Sequence, residues 1–272
     1  MPELPEVENL ARGLTARILG ATIMDIRCHF PAVVRPDADC FADAIRGRTI
    51  DKLRRHGKYL FFLLDGDVAF ALHLRMTGQL LLVPGDQRVD RHTHLEILLA
   101  DRKSKIVYRD VRKFGRLELL NSGVEQFVQV KKLGIDALSI SAGHLFELFQ
   151  KTSRTIKAAL LDQRVIAGLG NIYTDEILFR EGISPLRKAA SLKLEQVASL
   201  RLTIRAVLRS AVRRKGTTIS DYVDDQGQEG SFQKALLVYS RAGEPCRRCG
   251  TPIIKQQVAG RGTYSCPLCQ RA

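Results

Sequence analysis

Val7, Leu10, Leu14 and Ile18 recur at the three- and four-residue spacing of a single helix face, which predicts an amphipathic helix at the start of the chain. Pro5 at the first helical position, with Glu6 and Glu8 in the electropositive first turn, suits that assignment. Thr22 to Phe30 then alternates apolar and polar residues as a strand does, and Ala38 to Ile45 returns to a short helical pattern. Six short β-rich runs follow: Tyr59 to Leu64, Val68 to Leu74, Gln79 to Val83, Leu95 to Leu99, Lys105 to Tyr108 and Arg116 to Leu120. Turn-forming Gly, Asp and Pro separate them. Many short strands without long helices between them predict an antiparallel sandwich or barrel that ends near residue 130. From about Leu145 the period changes, and Phe146 to Lys151, Thr155 to Asp162, Ile172 to Arg180 and Leu192 to Lys215 read as four helices with no strand between them. Gly216 to Ser231 is polar and contains glycine, so it reads as a flexible loop. In a compact domain, loops of that length tend to be functional or disordered.

With 272 residues and 45% hydrophobic content, the chain is long enough for two domains and a substantial core. No apolar run approaches bilayer length and no basic-then-apolar leader opens the chain, which points to a cytoplasmic protein with no membrane partner. The net charge of +14 directs attention to polyanions. Trp is absent and no basic helix carries aromatic membrane anchors, so nucleic acid leads over a lipid surface. From Arg187 to Lys215 nine basic residues face the single acid Glu195. A solvated face is the ordinary role of such a run, but one this one-sided repels itself unless an anion answers it.

Cys246-Arg-Arg-Cys249-Gly250 and Cys266-Pro-Leu-Cys269 are two C-x-x-C pairs at ribbon-like separation, the pattern of one tetrahedral structural zinc held by four thiolates. A redox role needs only one such pair. Cys28 and Cys40 stand alone and read as small buried thiols. Six basic residues against Glu244 from Arg241 onward make the ribbon a candidate DNA-contacting hairpin. Between two helices lies Gly168-Leu169-Gly170-Asn171, with Asn171 a candidate N-cap. The glycines suit either a packed helix connection or close approach of a phosphate to helix-terminal N–H groups.

At the other end, removal of Met1 leaves the secondary amine of Pro2 at the terminus, with the carboxyl of Glu3 beside it. α-Amino groups as a class titrate near pH 8, well below lysine, so a useful fraction is neutral and nucleophilic at pH 7. Such an amine can form an iminium with an electrophilic carbon, and a neighbouring carboxyl can move the proton.

Pro2-Glu3-Leu4-Pro5-Glu6-Val7-Glu8, Gly57-Lys58-Tyr59-Leu60, His73-Leu74-Arg75-Met76, Asp110-Val111-Arg112-Lys113-Phe114-Gly115, Gly168 to Tyr173, and the cysteine ribbon with Val258 to Thr263 occur in this order across essentially the whole chain. Together they resemble the bacterial formamidopyrimidine-DNA glycosylases. The resemblance implies an α+β multidomain protein. Residues 1–130 would form an antiparallel β-sandwich catalytic domain with flanking helices. Residues 131–240 would form a helical DNA-binding domain with a helix-two-turns-helix motif, and residues 241–272 a β-hairpin zinc finger.

The function implied is a monomeric base-excision repair glycosylase and AP lyase acting on double-stranded DNA that contains oxidised purines or abasic sites. Pro2 would be its nucleophile and Glu3 its proton-transfer group, with Lys58 and Arg261 serving in the elimination steps. Sequence alone would leave Lys58 exposed to solvent. Met76, Arg112 and Phe114 would fill the gap left by the everted nucleotide, although apolar residues like the first and last are more often core. Phosphate contacts would fall to His92, Arg154, Lys157, Asn171, Tyr239 and Arg261. Gly216, Thr217, Thr218 and Tyr222 would belong to the loop that caps the lesion. Thr77 departs from family members that carry an acidic residue there, near the lesion pocket. Two alternatives stay open: an endonuclease VIII-type glycosylase for oxidised pyrimidines, and a non-catalytic damaged-DNA-binding protein.

Overall fold

The computed structural model describes residues 1–101 and 103–271, which fold as two units: Met1–Lys131 with Arg214–Gln233, and Lys132–Arg213 with Lys234–Ala272. In the first unit, α1 (Leu4–Ile18) buries Val7, Leu10, Leu14 and Ile18, the face that its periodicity predicts. Next come β1 (Ile23–Cys28), β2 (Val34–Arg35) and α2 (Ala38–Ile45), the last capped by the Asp37 carboxylate on the Cys40 N–H at 2.8 Å. Then follow β3 (Ile50–His56), β4 (Tyr59–Leu64), β5 (Ala69–His73), β6 (Gly78–Pro84), β7 (Thr93–Leu99), β8 (Ser104–Asp110), β9 (Arg116–Leu119) and α3 (Gly123–Val130).

The strands form a five-stranded sheet in the order β2-β9-β5-β4-β3 and a four-stranded sheet in the order β1-β7-β8-β6. All pairs are antiparallel except β2 with β9. Leu60, Phe62, Phe70 and Leu72 of one sheet share a core with Ile26, Leu80, Ile97 and Ile106 of the other, so the expected sandwich forms. The far face of the five-stranded sheet carries Phe61 and Ala71, which Val124 and Phe127 of α3 cover.

The segment from Gly216 to Ser231, read from sequence as a flexible loop of the helical domain, belongs to this first unit and is tied down at several points. Tyr222 lies in the main core, the Leu82 N–H donates to the Asp225 carbonyl at 2.9 Å, and Arg17 pairs with the Asp225 carboxylate.

The second unit contains β10 (Ile135–Asp136), α4 (Ala142–Gln150), α5 (Ile156–Leu161), β11 (Ile166–Ala167), α6 (Asn171–Glu181) and α7 (Leu194–Arg213). It closes with the antiparallel hairpin β12 (Ile254–Val258) and β13 (Arg261–Ser265). The helices stand where periodicity places them, but β11 lies among them, in a region that reads as strand-free, and pairs in parallel with β10, two residues each. α6 is capped by the extended Gly170 rather than by Asn171, which is its first helical residue.

Candidate active site and nucleic-acid interface

Pro2 and Glu3 are buried at the N-terminus of α1, where the helix dipole favours negative charge. Glu6, 2% exposed, joins that helix end to the later loop: Oε2 accepts from the Glu3 N–H at 2.8 Å and Oε1 from the Thr217 N–H at 2.7 Å. The Tyr222 hydroxyl donates to the Glu6 carbonyl at 3.3 Å, and Thr218 accepts from the Gly230 N–H at 2.9 Å. A Cβ at Gly216, whose φ is +81°, would come within 2.8 Å of Glu6 Oε1. Gly216, Thr217 and Tyr222 therefore meet Glu6, whose carboxylate also holds the backbone of Glu3, while the Thr218 hydroxyl ties the loop to itself by donating to the Tyr222 carbonyl at 2.9 Å.

Lys58 follows the left-handed Gly57 (φ +56°) in the β3–β4 turn and is 6% exposed, not solvated as its sequence context suggests. Its charge and that of Arg75 bear on His73, whose Nδ1 accepts from the Arg75 N–H at 3.0 Å and whose ring meets Tyr59 edge-on at 4.6 Å. Burial, reinforced by the Arg75 and Lys58 charges, pushes the His73 imidazole down to about 3, so it is neutral beside two cations. Nothing in the sequence around His73 marks it for a role; only its neighbours in the fold do.

Gly78 of β6 pairs with Asp110 of β8, which brings the β5–β6 and β8–β9 turns side by side. Met76 and Phe114 stand 41% and 48% exposed at these turns, so neither is a core residue. Arg112 joins them: its guanidinium lies 4.7 Å from the Phe114 ring centroid and donates to Met76 Sδ at 3.1 Å. His92 is half-buried; its N–H donates to Asp90 at 3.0 Å and its carbonyl accepts from the Asp110 N–H at 2.9 Å.

In the second unit, Arg154 is exposed and pairs with Asp162 at 2.9 Å, and Asn171 Nδ2 donates to the Gly262 carbonyl at 2.8 Å. Lys157 requires correction as a phosphate contact. It is 0% exposed, and its ammonium donates to Asp175 Oδ1 at 2.6 Å and to Thr263 Oγ1 at 2.8 Å. Asp175 Oδ2 also accepts from the Tyr264 N–H at 2.9 Å, so the pair holds β13 and, at its start, the exposed Arg261. A sequence cannot reveal that a lysine on a short helix points inward to a carboxylate 18 positions on. Glu176 went unnoticed as well. Fully buried, it accepts from the N–H groups of Leu237, Val238 and Tyr239 at 2.8, 2.8 and 3.0 Å and fixes the backbone under Tyr239.

The four ribbon sulfurs lie within 4.8 Å of one another, with Cys246–Cys269 at 3.9 Å and Cys249–Cys266 at 3.5 Å. Four thiolates at about 2.3 Å from a tetrahedral zinc stand roughly 3.8 Å apart, so the set fits that ion. N–H groups of Arg248 and Cys269 point at Cys246 and Cys266 Sγ, both at 3.4 Å, as thiolate acceptors require. Gly250 turns the first knuckle at φ +77°. The cysteines form a structural zinc site with no open position for substrate.

Exposed side chains suited to stacking on bases, exposed cations suited to phosphate and a four-cysteine ribbon are features of a nucleic-acid-binding protein. Comparison with known proteins narrows the class. The Formamidopyrimidine-DNA glycosylase N-terminal domain matches residues 1–117, the Formamidopyrimidine-DNA glycosylase H2TH domain residues 133–223, and the zinc finger found in FPG and IleRS residues 243–272. Formamidopyrimidine-DNA glycosylases of Geobacillus kaustophilus and Halalkalibacterium halodurans are 46% and 45% identical, each over 100% of both chains. A Lactococcus lactis FPG mutant, solved in complex with a Fapy-dG containing DNA, superposes with a TM-score of 0.94 at 36% identity over 100% of both chains. The Lactococcus lactis Fpg complexed with abasic-site DNA gives 0.93 at 36% identity, over 99% of this chain and 100% of that one. The chain belongs to the formamidopyrimidine-DNA glycosylase family.

Proposed function

We propose that the chain is a bifunctional DNA glycosylase and AP lyase of base excision repair that removes oxidised purines. Pro2, freed by loss of Met1, attacks C1′ of the everted nucleotide. The C1′–N bond to the base breaks, the base leaves with a proton, and an iminium links Pro2 to the opened sugar. Glu3 moves the proton at the sugar or base. Loss of the two phosphates by successive β- and δ-elimination then cleaves the strand on both sides, with Lys58 and Arg261 as the cations that serve the departing phosphates. Met76, Arg112 and Phe114 occupy the vacated stack, and the Arg112 guanidinium donates to the orphaned cytosine. His92, Arg154, Asn171, Tyr239 and Arg261 hold phosphates, and Gly216, Thr217, Thr218 and Tyr222 cap the lesion.

The division into a catalytic part (1–130), a DNA-binding part (131–240) and a zinc finger (241–272) describes these tasks, and a cytoplasmic, nucleoid-associated location goes with them. Among the described residues no helix is long and apolar enough to cross a membrane. The observation that carries the reading is the Pro2-Glu3 pair at the head of α1, its backbone held by Glu6.

Borohydride reduces an iminium to a stable amine, so trapping on a duplex with 8-oxoguanine opposite cytosine tests the covalent step directly. Peptide mapping is expected to place the cross-link on Pro2. Zinc-loaded, Met1-free protein that binds the duplex yet gives no cross-link would sink the purine assignment. A strong preference for thymine glycol would move the chain to the pyrimidine branch.

A further inference from the structure

The turns bearing Met76, Arg112 and Phe114 present apolar and cationic groups to solvent, where side-chain freedom would ordinarily scatter them. What holds the turns is a single carboxylate. Asp110 is 0% exposed and accepts five hydrogen bonds. Its Oδ1 takes the Thr77 hydroxyl at 2.5 Å and the Arg112 N–H at 3.1 Å. Its Oδ2 takes the Phe114 N–H at 2.9 Å, the Gly115 N–H at 2.9 Å and the Tyr108 hydroxyl at 3.0 Å. The Thr77 hydroxyl also accepts from the Arg112 N–H at 3.3 Å, so it lies between the two turns. Lys113 adopts the left-handed region at φ +58°, and a Cβ at Gly115 would collide with the Tyr108 hydroxyl. The loop thus closes tightly over the carboxylate, which burial alone would neutralise but which its donors, Thr77 foremost, hold below the usual carboxylate range.

We infer that Asp110 and Thr77 are positioning residues for gap filling: the buried carboxylate and the hydroxyl lock the Met76 turn to the Arg112–Phe114 turn, so that stack replacement and reading of the opposite base act as one rigid unit. The inference rests on the gap-filling role given to Met76, Arg112 and Phe114 above. It also assigns a task to position 77 in this chain. The Thr77 hydroxyl is committed to Asp110, so lesion choice does not run through it, and a carboxylate in its place would meet the Asp110 carboxylate.

Thr77→Val removes the hydroxyl at nearly constant volume, Thr77→Ser keeps it, and Asp110→Asn keeps the shape while turning an amide donor toward N–H groups. Single-turnover excision of 8-oxoguanine opposite cytosine is expected to fall roughly 10- to 100-fold in Thr77→Val and Asp110→Asn, the size of one lost hydrogen bond to a charged group. The excess of excision opposite cytosine over excision opposite adenine should shrink with it, because Arg112 no longer has a fixed direction. Cleavage of a single-stranded abasic oligonucleotide, which has no opposite base and no stack to replace, should fall about tenfold less. A 2-aminopurine beside the lesion should stay brighter on binding, reporting a poorly filled gap, and Thr77→Ser should restore every reading.

Equal losses on duplex and single strand in Thr77→Val, or no loss on either, would overturn the assignment, whether or not Asp110→Asn folds. Arg112→Ala and Phe114→Ala serve as controls: if neither slows excision from duplex, the gap-filling role itself fails and the inference falls with it. If both slow it and Thr77→Val does not, only the inference falls.

Discussion

His73 and Lys58 stand two strand ends apart in sequence and carry opposite lessons about burial. Both are nearly enclosed, at 9% and 6% exposed. The lysine belongs to a quoted motif with a role, whereas the histidine is identified only by what surrounds it. Burial and the Arg75 and Lys58 charges hold the imidazole at about 3, whereas an unfolded histidine titrates near 6.5. Between those values the unfolded chain binds a proton that the folded chain refuses. The stability due to neutral His73 is therefore fully present above pH 6.5 and is lost as pH falls toward 3, at up to about 1.4 kcal/mol per pH unit. Asp175 runs the other way, since burial pushes its carboxyl up to about 6 against the pull of Lys157. Comparing two proteins that both contain Asp175 cancels it. His73→Asn keeps an acceptor for the Arg75 N–H and removes the titration. Its urea unfolding free energy should fall less steeply than that of the parent from pH 6.5 to 4, and parallel curves would rule this out. Lys157 teaches the complementary point: a lysine in a basic protein reads as a phosphate ligand until a buried carboxylate partner is seen.

At the scale of elements, period carried most of the reading. α2 and β4 begin and end at the residues that the apolar pattern marks. β3 was illegible because Ile-Asp-Lys-Leu-Arg-Arg-His buries only Ile50 and Leu53, three apart, with an irregularity between Ile50 and Lys52. α3 hides for a similar reason, burying only Val124 and Phe127. Glycines mark the turn before α6, but Asn171 in front of an apolar run looks like a cap, whereas the cap is Gly170. The three N–H groups gathered by Glu176 lie about sixty residues away in sequence, beyond any local pattern. Glu176→Ala strands those donors and the Arg180 guanidinium, for a cost of about 3 to 5 kcal/mol. Amide exchange at Leu237, Val238 and Tyr239 should accelerate more than elsewhere in the chain, and a uniform change would mean that the carboxylate does not hold this segment. In the hairpin, Cys249→Ala should abolish stoichiometric zinc and weaken duplex binding, because folding of such ribbons is coupled to the metal. Zinc-free protein with undiminished affinity would contradict that coupling.

For the molecule as a whole, the formal charge of +14 predicts a polyanionic partner but overstates how much of that charge meets it. Some of that charge repels itself: on α7 the charge of Arg201 is the largest influence lowering Arg205, with burial and Arg209 adding to it. The salt dependence of DNA binding counts ion release at contacted phosphates and not net charge, at about 0.9 per phosphate neutralised on a duplex. The proposed function gives three cations to phosphates, Arg154 and Arg261 as contacts and Lys58 at a departing phosphate, while Lys157 stays in its pair with Asp175. The plot of log affinity against log salt for a lesion-free duplex should therefore have a slope of about −3, and Arg261→Gln should flatten it by about 1. Lys157→Met alone would leave Asp175 charged and buried, so the informative variant is Lys157→Met with Asp175→Asn, which removes the pair without stranding either partner. That double variant should keep the parental slope even if its hairpin loosens and its affinity drops at every salt concentration. A slope reduced by about 1 in the double variant, with Arg261 intact, would return Lys157 to the phosphate contacts and show that this ammonium leaves its buried partner when DNA arrives.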